Sequence, residues 1–173
     1  MDKKKQFELI NQRNNLTLRT ITQTDIEKIR IWKNAHRTSF FYKGIISQEK
    51  QSNWFKAYKK RLNDFVFMIS SMETDIGCTA FRELDEVMDI YNVILGNKSY
   101  SGKGLMSIAN SVMCSYMIDN FSKDITVKVL KTNPAVKWYL KNNFIEIDNI
   151  DDFILFKLDY NNFKKVHYKY LKY

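Results

Sequence analysis

A chain of 173 residues, 45% hydrophobic and 27% charged, has the profile of a soluble globular protein and the length for one domain with a real core. Its formal charge of +9 favours anionic partners, whether nucleic acid, a phosphate-bearing cofactor or an acidic surface, although scattered lysines make composition alone an equal explanation. No apolar run approaches the roughly 20 residues of a membrane span, and no apolar stretch follows the charged start Met1-Asp2-Lys3-Lys4-Lys5, so the expectation is a cytoplasmic protein without a secretory signal or membrane contact.

Residues 1–14 read as a polar leader, compatible with helix. Leu16-Thr17-Leu18-Arg19 alternates as a short strand. Thr24-Asp25 offers an N-cap for a helix carrying Ile26, Ile29, Ile31 and Trp32. Ser47 opens a second helix from Gln48 to about Leu62, with Trp54, Phe55 and Tyr58 on its apolar side. Phe65-Val66-Phe67-Met68-Ile69 is a continuous β-prone run of the kind a central strand shows. Strands at 76–82 and 87–95 follow, separated by a turn at Glu83-Leu84-Asp85-Glu86. After a loop at 96–104, Leu105, Ile108, Ala109, Val112, Met113, Tyr116 and Met117 recur at helical spacing and make one face apolar. Ile125-Thr126-Val127-Lys128-Val129 alternates as a strand, and Asn133-Pro134 starts a helix with proline at its tolerated first position. Phe153-Ile154-Leu155-Phe156 is the last strand before a tail at 160–173. This order predicts a mixed α/β sandwich with its core at about 16–158, in a single domain over 1–173. Cys78 and Cys114 fall within a strand and a helix and form no CxxC pair, which predicts free buried thiols in a reducing cytoplasm. With two His and two Cys, neither clustered, no metal site is expected.

The loop Asn97-Lys98-Ser99-Tyr100-Ser101-Gly102-Lys103-Gly104 stands between a strand and the clearest helix. A helix N-terminus presents unpaired N–H groups and a positive dipole end, which suits a phosphate. Two of the five glycines in the chain fall within three residues here, where a backbone would have to approach such a group closely. Two phosphate-binding alternatives fail on spacing. A Walker A loop needs four residues between its glycines and Ser or Thr after the Lys, whereas five residues separate Gly96 from Gly102 and Gly104 follows Lys103. A dinucleotide fingerprint needs a third glycine where Ser107 stands.

Ser99 to Gly104 followed by a helix resembles the pyrophosphate loop of the GNAT acetyltransferases, Gln/Arg-x-x-Gly-x-Gly/Ala. Asn133-Pro134-Ala135-Val136-Lys137-Trp138-Tyr139-Leu140-Lys141-Asn142-Asn143-Phe144 is similar to the family's Asn-x-x-Ala-x-x-Leu-Tyr-x-x-x-Gly-Phe segment. Ser99 replaces the usual Gln or Arg, and Asn143 replaces the usual Gly. The resemblance implies an α/β (α+β) fold with a mixed, largely antiparallel central sheet flanked by helices on both faces. It also implies acetyl-CoA as cosubstrate and a primary amine as acceptor. Ser99, Ser101, Gly102, Lys103, Gly104 and Leu105 would hold the pyrophosphate. The strand edge at Ile94 and Leu95 would pair with the pantetheine arm, a backbone N–H there would polarise the thioester carbonyl, and Asn133 would contact the arm. Tyr139 would give a proton to the departing thiolate, as a phenol that keeps its proton at neutral pH can. Asp89 is the carboxylate placed to take the proton of the attacking amine; Glu83 and His36 are the other candidates.

The first two helices of this family supply the acceptor pocket, which implicates Trp32, Asn34, Arg37 and Trp54. The stretch resembles two branches, one acetylating amino sugars on nucleotide carriers and the other the N-termini of ribosomal proteins; Lys33 stands where Arg is usual. An anionic amino-sugar nucleotide suits Lys33, Arg37 and Lys43, whereas polyamines and basic peptides would be repelled. The tail interleaves four lysines and His167 with five aromatics, a pattern that can stack on single-stranded nucleic acid. A nucleic-acid module would have no use for the glycine loop and Tyr139 at these spacings, so the tail is expected to complete the fold or to contact a second subunit of a homodimer.

Overall fold

The run Phe65-Val66-Phe67-Met68-Ile69 is apolar at every position, and a strand sends alternate residues to opposite faces, so it demands cover on both sides. The computed structural model, which describes residues 6–173, provides it. Phe65, Phe67 and Ile69 join a large core with Val112, Met113, Tyr116 and Tyr139, while Val66 and Met68 join a smaller core with Ile26, Ile29, Phe55 and Tyr58.

In chain order the elements are β1 (Phe7–Asn11), β2 (Leu16–Thr20), α1 (Ile26–Ala35), α2 (Gln48–Tyr58), β3 (Asp64–Ser71), β4 (Thr74–Leu84), β5 (Val87–Leu95), α3 (Leu105–Asn120), β6 (Ile125–Leu130), α4 (Ala135–Lys141), β7 (Phe144–Ile150), β8 (Phe153–Leu158) and β9 (Lys169–Lys172). The strands form one nine-stranded sheet ordered β7-β8-β6-β5-β4-β3-β2-β1-β9. Neighbours are antiparallel except β5 and β6, which run parallel. The two cores place α1 and α2 on one face and α3 and α4 on the other, as the mixed α+β reading requires. Among the described residues no helix is long and apolar enough to cross a membrane.

Three strands lie where the sequence reading had none. Most of the described part of the expected leader is β1, where Phe7 and Leu9 are fully buried and alternate with half-buried residues; only Gln12–Asn14 is polar and helical, as a short 3-10 turn. Residues 1–5 of that leader lie outside the described residues. At the other end the tail completes the sheet, because β9 pairs with β1. Between β8 and β9 it crosses α3, where Phe163, Val166 and Tyr168 pack on the core and the Val166 N–H donates to Ser115 Oγ at 3.0 Å. That cover explains why α3 is buried nearly all round from Ala109 to Met117 instead of along one stripe. The core therefore extends past 16 and 158 at both ends. The third strand, β7, is an edge strand with only Phe144 buried.

Two helix ends also differ. Asp25 does not cap α1; Arg19 holds its carboxylate bidentately at 2.7 and 2.8 Å, and the Thr22 N–H donates to it at 2.8 Å. Ser47 does cap α2, accepting from the Lys50 N–H at 3.2 Å. That helix stops at Tyr58, whose hydroxyl accepts from the Val66 N–H at 3.1 Å and ties the helix end to β3.

Candidate active site

The parallel pairing of β5 with β6 covers only Met88 to Ile90 against Ile125 to Val127. Beyond it β5 continues to Leu95, while β6 continues to Leu130 bonded to β8 on its other side, so a gap opens between them. The register of β5 against β4 shifts where Asn92 takes a left-handed backbone, φ 51°, which is the bulge expected at a bend in a strand. The Gly96 N–H donates to Ile76 O at 2.9 Å, so strand alternation turns the Ile94 backbone towards β4 and the Leu95 backbone towards the gap. Of the two residues expected on this edge, Leu95 is placed to pair with an extended ligand there, and Ile94 contributes by lining the gap.

Two cavities occupy the gap. An outer one of about 370 Å³ is lined by His36, Ile94, Leu95, Lys98 and Ser101 among others, and an inner one of about 520 Å³ by Lys33, Arg82, Asp89, Lys128 and Tyr139 among others. They share Ser39, Phe40, Val93, Asn133 and Ala135. The connection between α1 and α2 roofs them: Asn133 Nδ2 donates to Ser39 O at 3.1 Å, and the Phe41 ring meets Phe153 edge-on at 5.7 Å. Asn133 also accepts from the Ala135 N–H at 2.9 Å, so its side chain both opens α4 and holds the roof.

At the outer end the loop before α3 is built from backbone. Gly102 and Gly104 are left-handed, φ 74° and 72°, and a Cβ on either would meet nothing within 4 Å. Among the described residues the N–H groups of Gly102, Gly104, Leu105 and Met106 have no acceptor. Four free donors at a helix start with open space before them fit a pyrophosphate. Asn97 shapes the approach by accepting from the Ser99 N–H at 3.1 Å, and Lys103 Nζ lies 4.6 Å from the centre of the Tyr100 ring. Ser101 reaches the outer cavity; Ser99 does not.

At the inner end Tyr139 is 3% exposed, and its hydroxyl makes no hydrogen bond with the described residues. Burial first, then the charges of Cys114 and Asp89, push the phenol above its ordinary range and keep it protonated. Asp89 is also pushed up by burial, against the pull of Arg82 and then Lys128. Arg82 Nε donates to its Oδ2 at 2.9 Å. Lys33 Nζ donates to Asn92 Oδ1 at 2.7 Å, and burial lowers the ammonium, with Cys78 opposing and Arg82 adding to the shift. The thiols are inert by comparison: both are buried and free, and burial pushes Cys78 up to about 12.

The four expected acceptor residues lie outside the lining of both cavities. Trp32 packs face-on against Gly96, where an added Cβ would come within 2.1 Å of the indole. Asn34 clips the α1–α2 connection, its Nδ2 donating to Ile46 O at 2.9 Å and its Oδ1 accepting from Ile46 N–H at 2.8 Å. Arg37 is exposed on a short 3-10 turn. Trp54 stacks on Tyr58 at 5.3 Å, within the smaller core. The lining comes instead from Lys33, Phe40, Phe41, Tyr42, Arg82, Lys128 and Phe153. Arg82 could have been found, because a tight turn at Asp85 and Glu86 sets Arg82 opposite Asp89 in the hairpin register. Glu83 lies beyond that cavity, and His36 lines the outer one.

Comparison with known proteins agrees with this fold. The family model of the acetyltransferase (GNAT) domain matches residues 15–142. No curated protein sequence is similar enough to count as a match. Among solved structures, FdhC, a nucleotide-linked sugar GNAT, superposes with a TM-score of 0.71 at 19% identity, covering 84% of this chain and 86% of that one. RimL, a ribosomal alpha-N-protein acetyltransferase, gives 0.69 at 14% identity over 86% of this chain and 96% of that one, in a complex with coenzyme A. A chimera of the spermidine N-acetyltransferase SpeG from Vibrio cholerae and hSSAT gives 0.69 at 16% identity, covering 83% and 95%. These identities show the common fold. The sheet order, the glycine loop at the head of α3 and the family match over most of the chain lead to one conclusion: the chain belongs to the acetyltransferase (GNAT) domain family and is an acetyl-CoA-dependent N-acetyltransferase.

Proposed function

We propose that the protein acetylates the amine of an amino sugar carried on a nucleotide diphosphate. The observation that carries this reading is the inner cavity: Lys33, Arg82 and Lys128 line it against the single carboxylate Asp89, between the rings of Phe40, Phe41, Tyr42 and Phe153. Cations beside aromatic walls suit a diphosphate with a stackable sugar and base, and they disfavour spermidine and basic peptides. FdhC supports the reading by its description alone, and RimL and SpeG superpose about as well. The charge of the cavity is what favours the amino-sugar nucleotide among them.

Acetyl-CoA, when bound, supplies the acetyl group as a thioester. The N–H groups of Gly102, Gly104 and Leu105, with Lys103 and Ser101 beside them, would hold its pyrophosphate, and the Leu95 edge with Ile94 and Asn133 would hold its arm. Asp89 takes the proton that the acceptor ammonium must lose, directly or through water, and its raised pKa makes it a better acceptor than an ordinary carboxylate. As the amine nitrogen bonds to the carbonyl carbon and the C–S bond breaks, Tyr139 gives its proton to the sulfur, and the second proton that the nitrogen sheds on becoming an amide returns to the Tyr139 phenolate, directly or through water. Competition kinetics with an amino-sugar nucleotide, spermidine and a basic peptide, at low and moderate salt, tests the acceptor. The amino-sugar nucleotide is expected to turn over fastest; faster turnover of either cation would refute the assignment and leave the acetyltransferase activity intact.

A further inference from the structure

Lys33, near the end of α1, is the one basic residue in the inner cavity whose environment is mostly protein. Its Nζ has three protons and a full charge to satisfy. It finds one neutral amide oxygen, Asn92 Oδ1 at 2.7 Å, and the face of Phe40, 5.3 Å away. No carboxylate among the described residues pairs with it, whereas the more exposed Lys28, Lys157 and Lys165 each pair with an aspartate at 2.7, 2.6 and 2.6 Å. The nearby carboxylate, Asp89, is held by Arg82. A desolvated cation without a counter-ion is costly, and an amide and a ring offset only part of that cost. Lys33 borders the same cavity as Asp89 and Tyr139.

We infer that Lys33 binds an anionic group of the acceptor itself, a phosphate or a carboxylate, while the amine of that acceptor reaches Asp89. The inference rests on the acetyl-transfer reading of the cavity and deepens it by giving Lys33 the selection of amines that carry their own negative charge, the amino-sugar nucleotide among them. A purely structural role is the alternative, in which Lys33 only pins the left-handed Asn92 at the bulge of β5. The two differ in selectivity: pinning acts on every acceptor equally, whereas a counter-ion distinguishes charged from uncharged ones.

Anion binding is read first without turnover. The protein is saturated with coenzyme A, so that the donors of the glycine loop are occupied, and titrated with inorganic phosphate and, separately, with formate. Wild type is expected to bind one of the two, which identifies the group as phosphate or carboxylate. Lys33→Met should weaken that binding about 10- to 100-fold, the loss of one charge-assisted hydrogen bond, and Lys33→Arg should retain it. In turnover, the ratio of kcat/KM for the charged over the uncharged acceptor should fall by a similar factor in Lys33→Met, the pair being glucosamine 6-phosphate and glucosamine where phosphate is the anion bound, and glycine and methylamine where formate is. Unchanged anion binding in Lys33→Met, no binding of either anion to the wild type, or an unchanged ratio overturns the inference. Failure to acetylate any amine would instead count against the reading of the site, which the anion titration does not depend on.

Discussion

The two ends of the gap between β5 and β6 are built by different means. The donor end is backbone: left-handed glycines and, at the head of α3, four N–H groups without an acceptor among the described residues, all within a few consecutive residues. The acceptor end is side chain: Lys33 from α1, the rings of the roof, Arg82 from β4, Asp89 from β5, Lys128 from β6 and Tyr139 from α4. A backbone site must be written locally, because only consecutive residues can point successive N–H groups at one place. A side-chain site can be assembled from any elements that meet, and its sequence signal is scattered. On the proposed assignment, the donor end would serve any reaction that uses the same cosubstrate, and the acceptor end would be free to vary.

The comparison can be broken at the inner end. The largest effect is expected from Tyr139→Phe, which keeps the ring packed against Phe144 and Phe156 and removes only the proton. Loss of a general acid should lower kcat by about 10²–10⁴-fold and leave the acetyl-CoA KM nearly unchanged. A fully active Phe variant in steady-state assays would remove Tyr139 from the chemistry and leave it a packing residue.

A smaller effect sharpens the role of Asp89. As a base it must be ionised, so kcat/KM should rise with pH through its pKa, which burial has already raised. Arg82 pulls that pKa down through the 2.9 Å ion pair. Arg82→Gln removes the pull, so the acid limb of the profile should move to higher pH. A limb that stays in place, or moves to lower pH, would mean that another group sets it.

What could be read from the sequence follows the same division. The loop before α3 and the segment around Tyr139 are consecutive, and the structure brings both to one gap. The six central elements with continuous or strongly periodic apolar patterns, such as β3 and α3, are legible for the same reason. The strands β1 and β9 are not. Each is short, and lysines just before β1 (Lys3, Lys4 and Lys5) or at both ends of β9 (Lys169 and Lys172) give the segment a polar composition, while their place in the sheet depends on pairing across the length of the chain. Trp32 and Trp54 could not be placed from the sequence, because large aromatics near a pocket also serve as packing, and both pack in this fold. The need for Trp32 is set by Gly96, more than sixty residues away in sequence and in contact in the fold. Lys33 shows its meaning only once the structure reveals that it has no carboxylate partner among the described residues.

On the proposed assignment, the glycine loop holds the pyrophosphate of acetyl-CoA at the mouth of this gap. Calorimetric titration of acetyl-CoA into wild type and Gly102→Val, with circular dichroism showing that the variant is folded, tests it most directly. A side chain at this position would enter the open space over the loop and displace a phosphate, so affinity should fall about 10- to 100-fold, as for lost charge-assisted bonds. Equal affinity in a folded Gly102→Val would contradict the claim and place the cosubstrate elsewhere.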